Sequence, residues 1–190
     1  MDMGSYLILA MVAILVLYGI ILYNNLVTLK HNVAKAWSNI DVLLKQRNEE
    51  LPKLVEVCKQ YMGFEQETLR QVMEARGRAM GAQQRGDMPA LGEAEGALRL
   101  GLGNLFAVVE AYPELRASDK FKHLAQRISG LENAIADRRE FYNESVNVNN
   151  IRIEQFPDAI IARPLGFKPF DLLEFPSQDL KDVDIKALFG

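Results

Sequence analysis

The sequence predicts an all-α protein in which an N-terminal transmembrane helix continues into an antiparallel four-helix bundle with long helices, followed by an extended apolar C-terminal tail. Three observations predict it. Residues 6–23 carry no charge, apolar residues recur at heptad spacing through residues 24–156, and prolines and aromatic residues crowd the chain after residue 156. The predicted divisions are a segment and anchor at 1–23, a bundle at 24–156 and a tail at 157–190.

The uncharged run from Tyr6 to Tyr23 has eighteen residues, about enough to span the hydrocarbon core of a bilayer as a helix. The segment before it carries only Asp2 as a charge, and no small-residue cleavage motif follows it. A retained anchor is therefore favoured over a cleaved signal peptide and over a buried core helix. The anchor positions are Tyr6, Leu9, Val12, Leu15, Tyr18, Leu22 and Tyr23.

The charges beside the anchor predict its orientation. No Lys or Arg precedes the run, whereas Lys30 and Lys35 follow it. This asymmetry predicts a single-pass protein with its N-terminus outside and its C-terminal domain in the cytoplasm. Because the asymmetry is small, an extracytoplasmic domain is the alternative.

The first soluble helix is predicted to be continuous with the anchor. Two rows of apolar residues repeat every seven positions, and neither glycine nor proline interrupts residues 20–51. We expect this helix to end near Asn48, which would cap a second helix over residues 49–80. A kinked helix that continues through Pro52 is the alternative. The rows are Leu26, Val33 and Ile40, and Leu29, Ala36 and Leu43.

Glu65 and Arg76 occupy apolar positions of this second predicted helix. They either extend charged heads into solvent or join a buried polar network that fixes helix pairing. A loop is expected in the glycine-rich stretch that ends at Pro89.

The third predicted helix, over residues 91–112, has small residues spaced four apart. This spacing places them on one face and lets another helix approach closely, so we interpret them as assembly candidates. They are Gly92, Gly96, Ala97 and Gly101. The fourth helix is predicted from Ser118 to Phe156.

The predicted tail contains prolines that exclude a long helix, yet it is too apolar to be solvated. We expect it to pack on the bundle, on a neighbouring subunit or on the lipid surface. A short amphipathic helix is predicted from Ser177 onward. The assembly candidates here are Ile160, Ile161, Leu165, Phe167, Phe170 and Phe175.

Composition and motifs argue against catalysis and against nucleic-acid binding. The net charge is −3 and no basic run is present. His31 and His123 lack the Glu-x-x-His spacing of a di-iron bundle, and Cys58 has no nearby histidine motif to form a reactive dyad. We therefore expect a protein that is not an enzyme and has no cofactor and no bound metal.

Several motifs resemble those of the LemA family. They are YNNLV at 23–27, AWSNIDV at 36–42, LPKLVE at 51–56, VEAYPEL at 109–115 and ENAIADRREFYN at 132–143. Phe64 departs from the family, which often has histidine there, and residues 176–190 lie beyond the resemblance. The resemblance implies a bacterial membrane-anchored helical bundle without an established activity, and some members are linked to organising internal membranes. It also implies that recurrent polar residues form a network, with Glu65, Arg76, Glu132, Asn133 and Arg138 as candidates.

We therefore expect a scaffold in the bacterial cell membrane that self-associates through its bundle and tail and organises or shapes the bilayer. The expected partners are lipid and further copies of the chain. The alternative is a non-catalytic adaptor or regulatory subunit for a membrane enzyme such as a protease or a sensor.

Overall fold

The computed structural model describes residues 2–63 and 65–175, and all the regular structure in these ranges is helical. The all-α prediction is confirmed, whereas the antiparallel arrangement of a four-helix bundle stays a prediction. The short helix predicted from Ser177 lies outside the described residues. The helices are α1 (Met3–Lys59), α2 (Gln66–Arg85), α3 (Met88–Val109), α4 (Pro113–Ala117), α5 (Asp119–Glu154) and α6 (Asp158–Ala162).

The anchor and the first soluble helix form one helix, α1, as predicted. The predicted break at Asn48 is wrong, because α1 contains Pro52 and ends only at Lys59. The helix tolerates the proline because apolar residues on both sides of it, including Leu51 and Leu54, are buried in a core. Tertiary packing thus outweighs the hydrogen bond that Pro52 cannot donate.

The second helix differs from the prediction in both bounds. α2 begins at Gln66 and continues through Gly77 to Arg85, so the expected loop shrinks to the residues around Gly86. Gly86 adopts a left-handed conformation with φ 67°, which glycine reaches without a Cβ clash. Asp87 then caps α3 by accepting a hydrogen bond from the Ala90 amide at 3.1 Å.

The described residues belong to two compact units, Ser38–Glu140 with Leu172–Gly190, and Met1–Trp37 with Phe141–Asp171. We call them the core unit and the membrane-proximal unit. In the core unit, α1, α2, α3 and α5 contribute to one apolar cluster. Its members include Leu51, Leu54 and Cys58 of α1, Val72 of α2, Leu98 and Leu105 of α3, and Phe121 and Ile128 of α5.

The membrane-proximal unit holds the first half of the predicted tail against its own helices. Leu26, Ile153 and Ala162 form a small apolar cluster. The Asn150 side chain donates to the Phe170 carbonyl at 2.9 Å and accepts from the Phe170 amide at 3.0 Å. The Tyr142 hydroxyl donates to the Asp171 carbonyl at 3.0 Å. These bonds fix the segment after α6 along the side of α5.

Candidate functional site

The most unusual feature of the core unit is a buried cluster of three charges contributed by three helices. Arg47 of α1 donates two hydrogen bonds to the Glu95 carboxylate of α3, at 2.6 and 2.7 Å. It donates a third to Glu132 of α5 at 2.8 Å. The side chains of Arg47, Glu95 and Glu132 are 1%, 2% and 16% exposed, so the pair with Glu95 is fully desolvated.

The two fully buried members of the cluster, Arg47 and Glu95, occupy heptad core positions. Arg47 lies between Leu44 and Leu51, and Glu95 lies between Leu91 and Leu98, with steps of three and four to each neighbour. Polar residues at such positions specify which helices pair and in which register. We interpret the cluster as the feature that sets helix pairing in this unit.

The electrostatics of the cluster keep Arg47 charged. Burial by itself would lower the pKa of Arg47, but the charges of Glu95 and Glu132 and their hydrogen bonds raise it above its ordinary value. One guanidinium therefore faces two carboxylates. A second buried acid, Glu50, lies 3.2 Å from both Lys53 and Arg127.

Arg76 satisfies the backbone group that Pro52 leaves without a partner. Proline has no amide hydrogen, so the Asn48 carbonyl, four residues earlier, lacks its helical donor. The Arg76 Nε donates to this carbonyl at 2.8 Å. Arg76 thus stabilises α1 at its proline, a specific form of the polar role predicted for it.

The other polar-network candidates have different surroundings. Glu132 belongs to the charge cluster, and Glu65 lies half-buried at the start of α2 without a side-chain capping bond. Asn133 and Arg138 are exposed. We therefore correct the prediction for these two residues, because their positions on α5 face away from the buried heptad positions.

Sequence reasoning missed Arg47 and Glu95, although their spacing within apolar heptads could have indicated them.

The small residues of α3 are covered within the chain. A Cβ on Gly92 would overlap the backbone of Glu174, and a Cβ on Gly101 would lie 3.4 Å from Cγ2 of Val72. Gly96 is buried and Ala97 half-buried. The interpretation of Gly92 and Gly101 as contacts between subunits is corrected, since the C-terminal segment and α2 occupy those positions.

The apolar tail candidates divide into covered and exposed residues. Phe167 packs edge-on against Tyr23 with ring centroids 6.0 Å apart, and the Arg139 guanidinium lies 4.2 Å from the centre of the Phe175 ring. Ile161 and Phe170 are half-buried. Ile160 and Leu165 remain exposed, so only part of the predicted unpartnered surface exists.

An exposed apolar stripe runs along α5 in the membrane-proximal unit. Phe141, Val148 and Ile151 are spaced seven and three residues apart and are all exposed, and the exposed Glu144 lies on the same face between Phe141 and Val148. This is the spacing of one helix face at heptad a and d positions. Sequence reasoning missed the stripe because the opposite face of α5 is also apolar and periodic.

The predicted anchor residues are exposed, except Leu22. By length and composition, α1 is able to cross a membrane. All anchor candidates other than Leu22 thus present apolar side chains outward, as a lipid-facing helix requires.

Within residues 2–63 and 65–175, no group of three or more His, Cys, Asp or Glu residues is arranged to hold a metal ion.

Comparison with known proteins adds a family and a set of relatives. The model described as LemA family matches residues 36–186, so the match extends past residue 175, where the motif resemblance ends. Magnetosome protein MamQ 2 of Paramagnetospirillum magneticum is 27% identical over 169 residues, which cover 77% of this chain and 62% of that protein. Magnetosome protein MamQ of Magnetospirillum gryphiswaldense is 25% identical with the same coverage. The chain therefore spans less than two thirds of the length of these relatives.

Proposed function

The chain belongs to the LemA family, and on that premise we propose that it is a membrane-anchored helical scaffold that self-assembles and organises or shapes its membrane. The apolar start of α1 and the relatives named magnetosome proteins indicate a membrane-anchored bacterial protein. The proposed role involves no catalytic step and no cofactor. In the proposed topology the N-terminus lies outside and the helical units lie in the cytoplasm, as Lys30 and Lys35 predict.

The observation that carries the proposal is the apolar stripe formed by Phe141, Val148 and Ile151. The tail and the small face of α3 are largely occupied within the chain, so this stripe replaces them as the assembly surface. Burying a large apolar side chain contributes about 1.5–3 kcal/mol. Three such residues on each of two copies are enough to favour association of proteins already confined to one membrane.

The anchor constrains how two stripes meet. Copies inserted in the same direction are related by an axis along the membrane normal, so each residue of α5 meets residues at its own height. The stripe from Phe141 to Ile151 rises about 15 Å along the helix. That rise exceeds the thickness of one headgroup layer, so lipid alone does not cover the stripe and a second copy fits it better.

A matched pair of double variants tests the proposal. V148S/I151S removes two side chains of the stripe, whereas V42S/L100S removes exposed side chains of similar size on α1 and α3. Sedimentation velocity on the full chain in detergent is expected to give oligomers for the unchanged protein and for V42S/L100S, and monomers for V148S/I151S. Monomeric unchanged protein would refute self-assembly, and equal oligomers for both variants would refute the stripe as its interface.

One observation favours the adaptor alternative. A groove between α2 and α3 is lined by small residues that include Gly77, Gly81 and Ala94, with Glu74 and Arg78 among its charged residues. A Cβ added at Gly77 would meet open space, so the groove has room for a partner segment. In this alternative, the unchanged protein co-purifies with a membrane protein. The G77L variant is expected to lose that partner while its own oligomeric state stays the same. Loss of oligomers in G77L with no change in co-purifying proteins would count against the adaptor.

A further inference from the structure

α6 lies at the level of the apolar run of α1. The Cδ1 atom of Ile161 is 4.0 Å from the position that a Cβ would take on Gly19. Gly19 belongs to the uncharged residues 6–23, so a bilayer around that run reaches α6 as well. Both elements belong to the membrane-proximal unit.

The surface around α6 suits contact with lipid. Phe156, Ile160 and Leu165 are 78%, 62% and 57% exposed. The nearby acid, Asp158, is buried and lies 3.1 Å from Arg152, so its charge is compensated before it approaches the hydrocarbon. These apolar residues therefore lie at the height of the anchor, and the exposed Arg163 is the charged residue between Ile160 and Leu165.

A cleft of about 560 Å³ adjoins this surface at Leu165. Its walls come from Tyr23 to His31 on α1, from Asn149 on α5 and from residues 165–170. Eight residues of helix rise about 12 Å, so the cleft begins at the edge of the apolar run and passes through the headgroup layer. Leu165 belongs both to the cleft and to the apolar surface.

The cleft is positively charged. Lys30 and Lys168 line it, no acidic side chain is among its described lining residues, and neither lysine forms an ion pair or hydrogen bond within the described ranges. Side chains on a helix lean toward its N-terminus, so Lys30 of α1 reaches back toward the bilayer. Two unpaired ammonium groups at this height match the phosphate of a lipid headgroup.

We propose that this cleft binds the headgroup of an anionic phospholipid. Lys30 and Lys168 contact the phosphate, while Tyr23 and Leu165 contact the glycerol and the first part of the acyl chains. The lipid is favoured over a free phosphate because the cleft opens onto an apolar surface, which a soluble anion does not need. This inference depends on the anchor and not on self-association, so it stands or fails separately from the scaffold proposal.

Native mass spectrometry of the full chain in detergent, titrated with phosphatidylglycerol or phosphatidylcholine, tests the proposal. A lysine near an anionic lipid surface contributes about a fivefold gain in affinity. K30Q/K168Q is therefore expected to lose roughly 25-fold in affinity for phosphatidylglycerol. K59Q/K120Q, which removes two exposed lysines outside the cleft, is expected to bind as the unchanged protein does.

Two further readouts complete the test. Glycerol phosphate, which has the anion without acyl chains, is expected not to compete. K30R/K168R keeps both charges and is expected to retain binding, which separates lost charge from damage to the fold. Equal binding of the two lipids, equal loss in the two Gln variants, loss of binding in K30R/K168R, or competition by glycerol phosphate would each overturn the proposal.

Discussion

Replacing Arg47 with methionine is expected to destabilise the core unit strongly. R47M keeps a flexible side chain of similar length but removes the guanidinium that donates to both Glu95 and Glu132. Glu95 is then a buried carboxylate without its counter-charge. Such a group costs more free energy than the original ion pair contributes, because its desolvation is no longer offset.

The magnitude follows from the geometry of the cluster. Arg47 makes three charge-assisted hydrogen bonds between 2.6 and 2.8 Å, and its partner Glu95 is 2% exposed. Breaking a buried pair of this kind costs about 3–5 kcal/mol. For a chain of this size each kcal/mol lowers the melting temperature by about 2–4 °C. We therefore expect R47M to melt roughly 6–20 °C below the unchanged protein.

Thermal unfolding of the full chain in detergent, followed by circular dichroism at the helical minimum, measures this shift. The triple variant R47M/E95L/E132M removes all three charges and is expected to recover most of the loss. R47K keeps the charge but lacks the planar guanidinium with its several N–H donors. Its melting temperature is therefore expected to fall between those of R47M and the unchanged protein. An R47M melting temperature within 2 °C of the unchanged protein would refute the assignment of a closed, desolvated cluster.

Two other predictions concern single residues of the core unit. Burial raises the pKa of the Cys58 thiol to about 12. A maleimide at pH 7.5 is therefore expected to leave Cys58 of the native protein unlabelled and to label it after unfolding. Rapid labelling of the native protein would contradict this burial. G92A is expected to lower stability by about 1–3 kcal/mol because the new Cβ overlaps the backbone of Glu174. G77A, where the Cβ meets open space in the same unit, is expected to be neutral or to raise stability by up to about 1 kcal/mol, and equal effects of the two changes would contradict the packing at Gly92.

Heptad spacing was sufficient to predict the helical class and the continuity of the anchor with the first soluble helix. Ile40 was assigned to an apolar face from spacing alone, and it is fully buried. Spacing was less able to choose the exact face. On α3, Ala94 and Gly101 are buried, and so are Glu95 and Leu102 one position further along, so apolar spacing does not single out one face of this enclosed helix.

The partners of Arg47 and the covering of the tail were not predictable from local patterns. Arg47 becomes interpretable only when helices distant in the chain bring Glu95 and Glu132 to it. The helix through Pro52 depends on Arg76, which is 28 residues away from Asn48 in the chain. The segment after α6 likewise depends on Asn150, whose side chain pairs with Phe170. In each case the deciding partner is supplied by tertiary structure.

Crosslinking through a cysteine at Ile151 tests the scaffold most directly. Cys58 is buried and its thiol pKa is raised to about 12, so an introduced surface thiol is the reactive one. Copies related by an axis along the membrane normal bring the two 151 positions together, whereas Leu100 lies outside the stripe. In native membranes, I151C is expected to give a covalent dimer with a short bismaleimide while L100C stays monomeric. A monomeric I151C, or equal dimer from both variants, would contradict assembly through the α5 stripe.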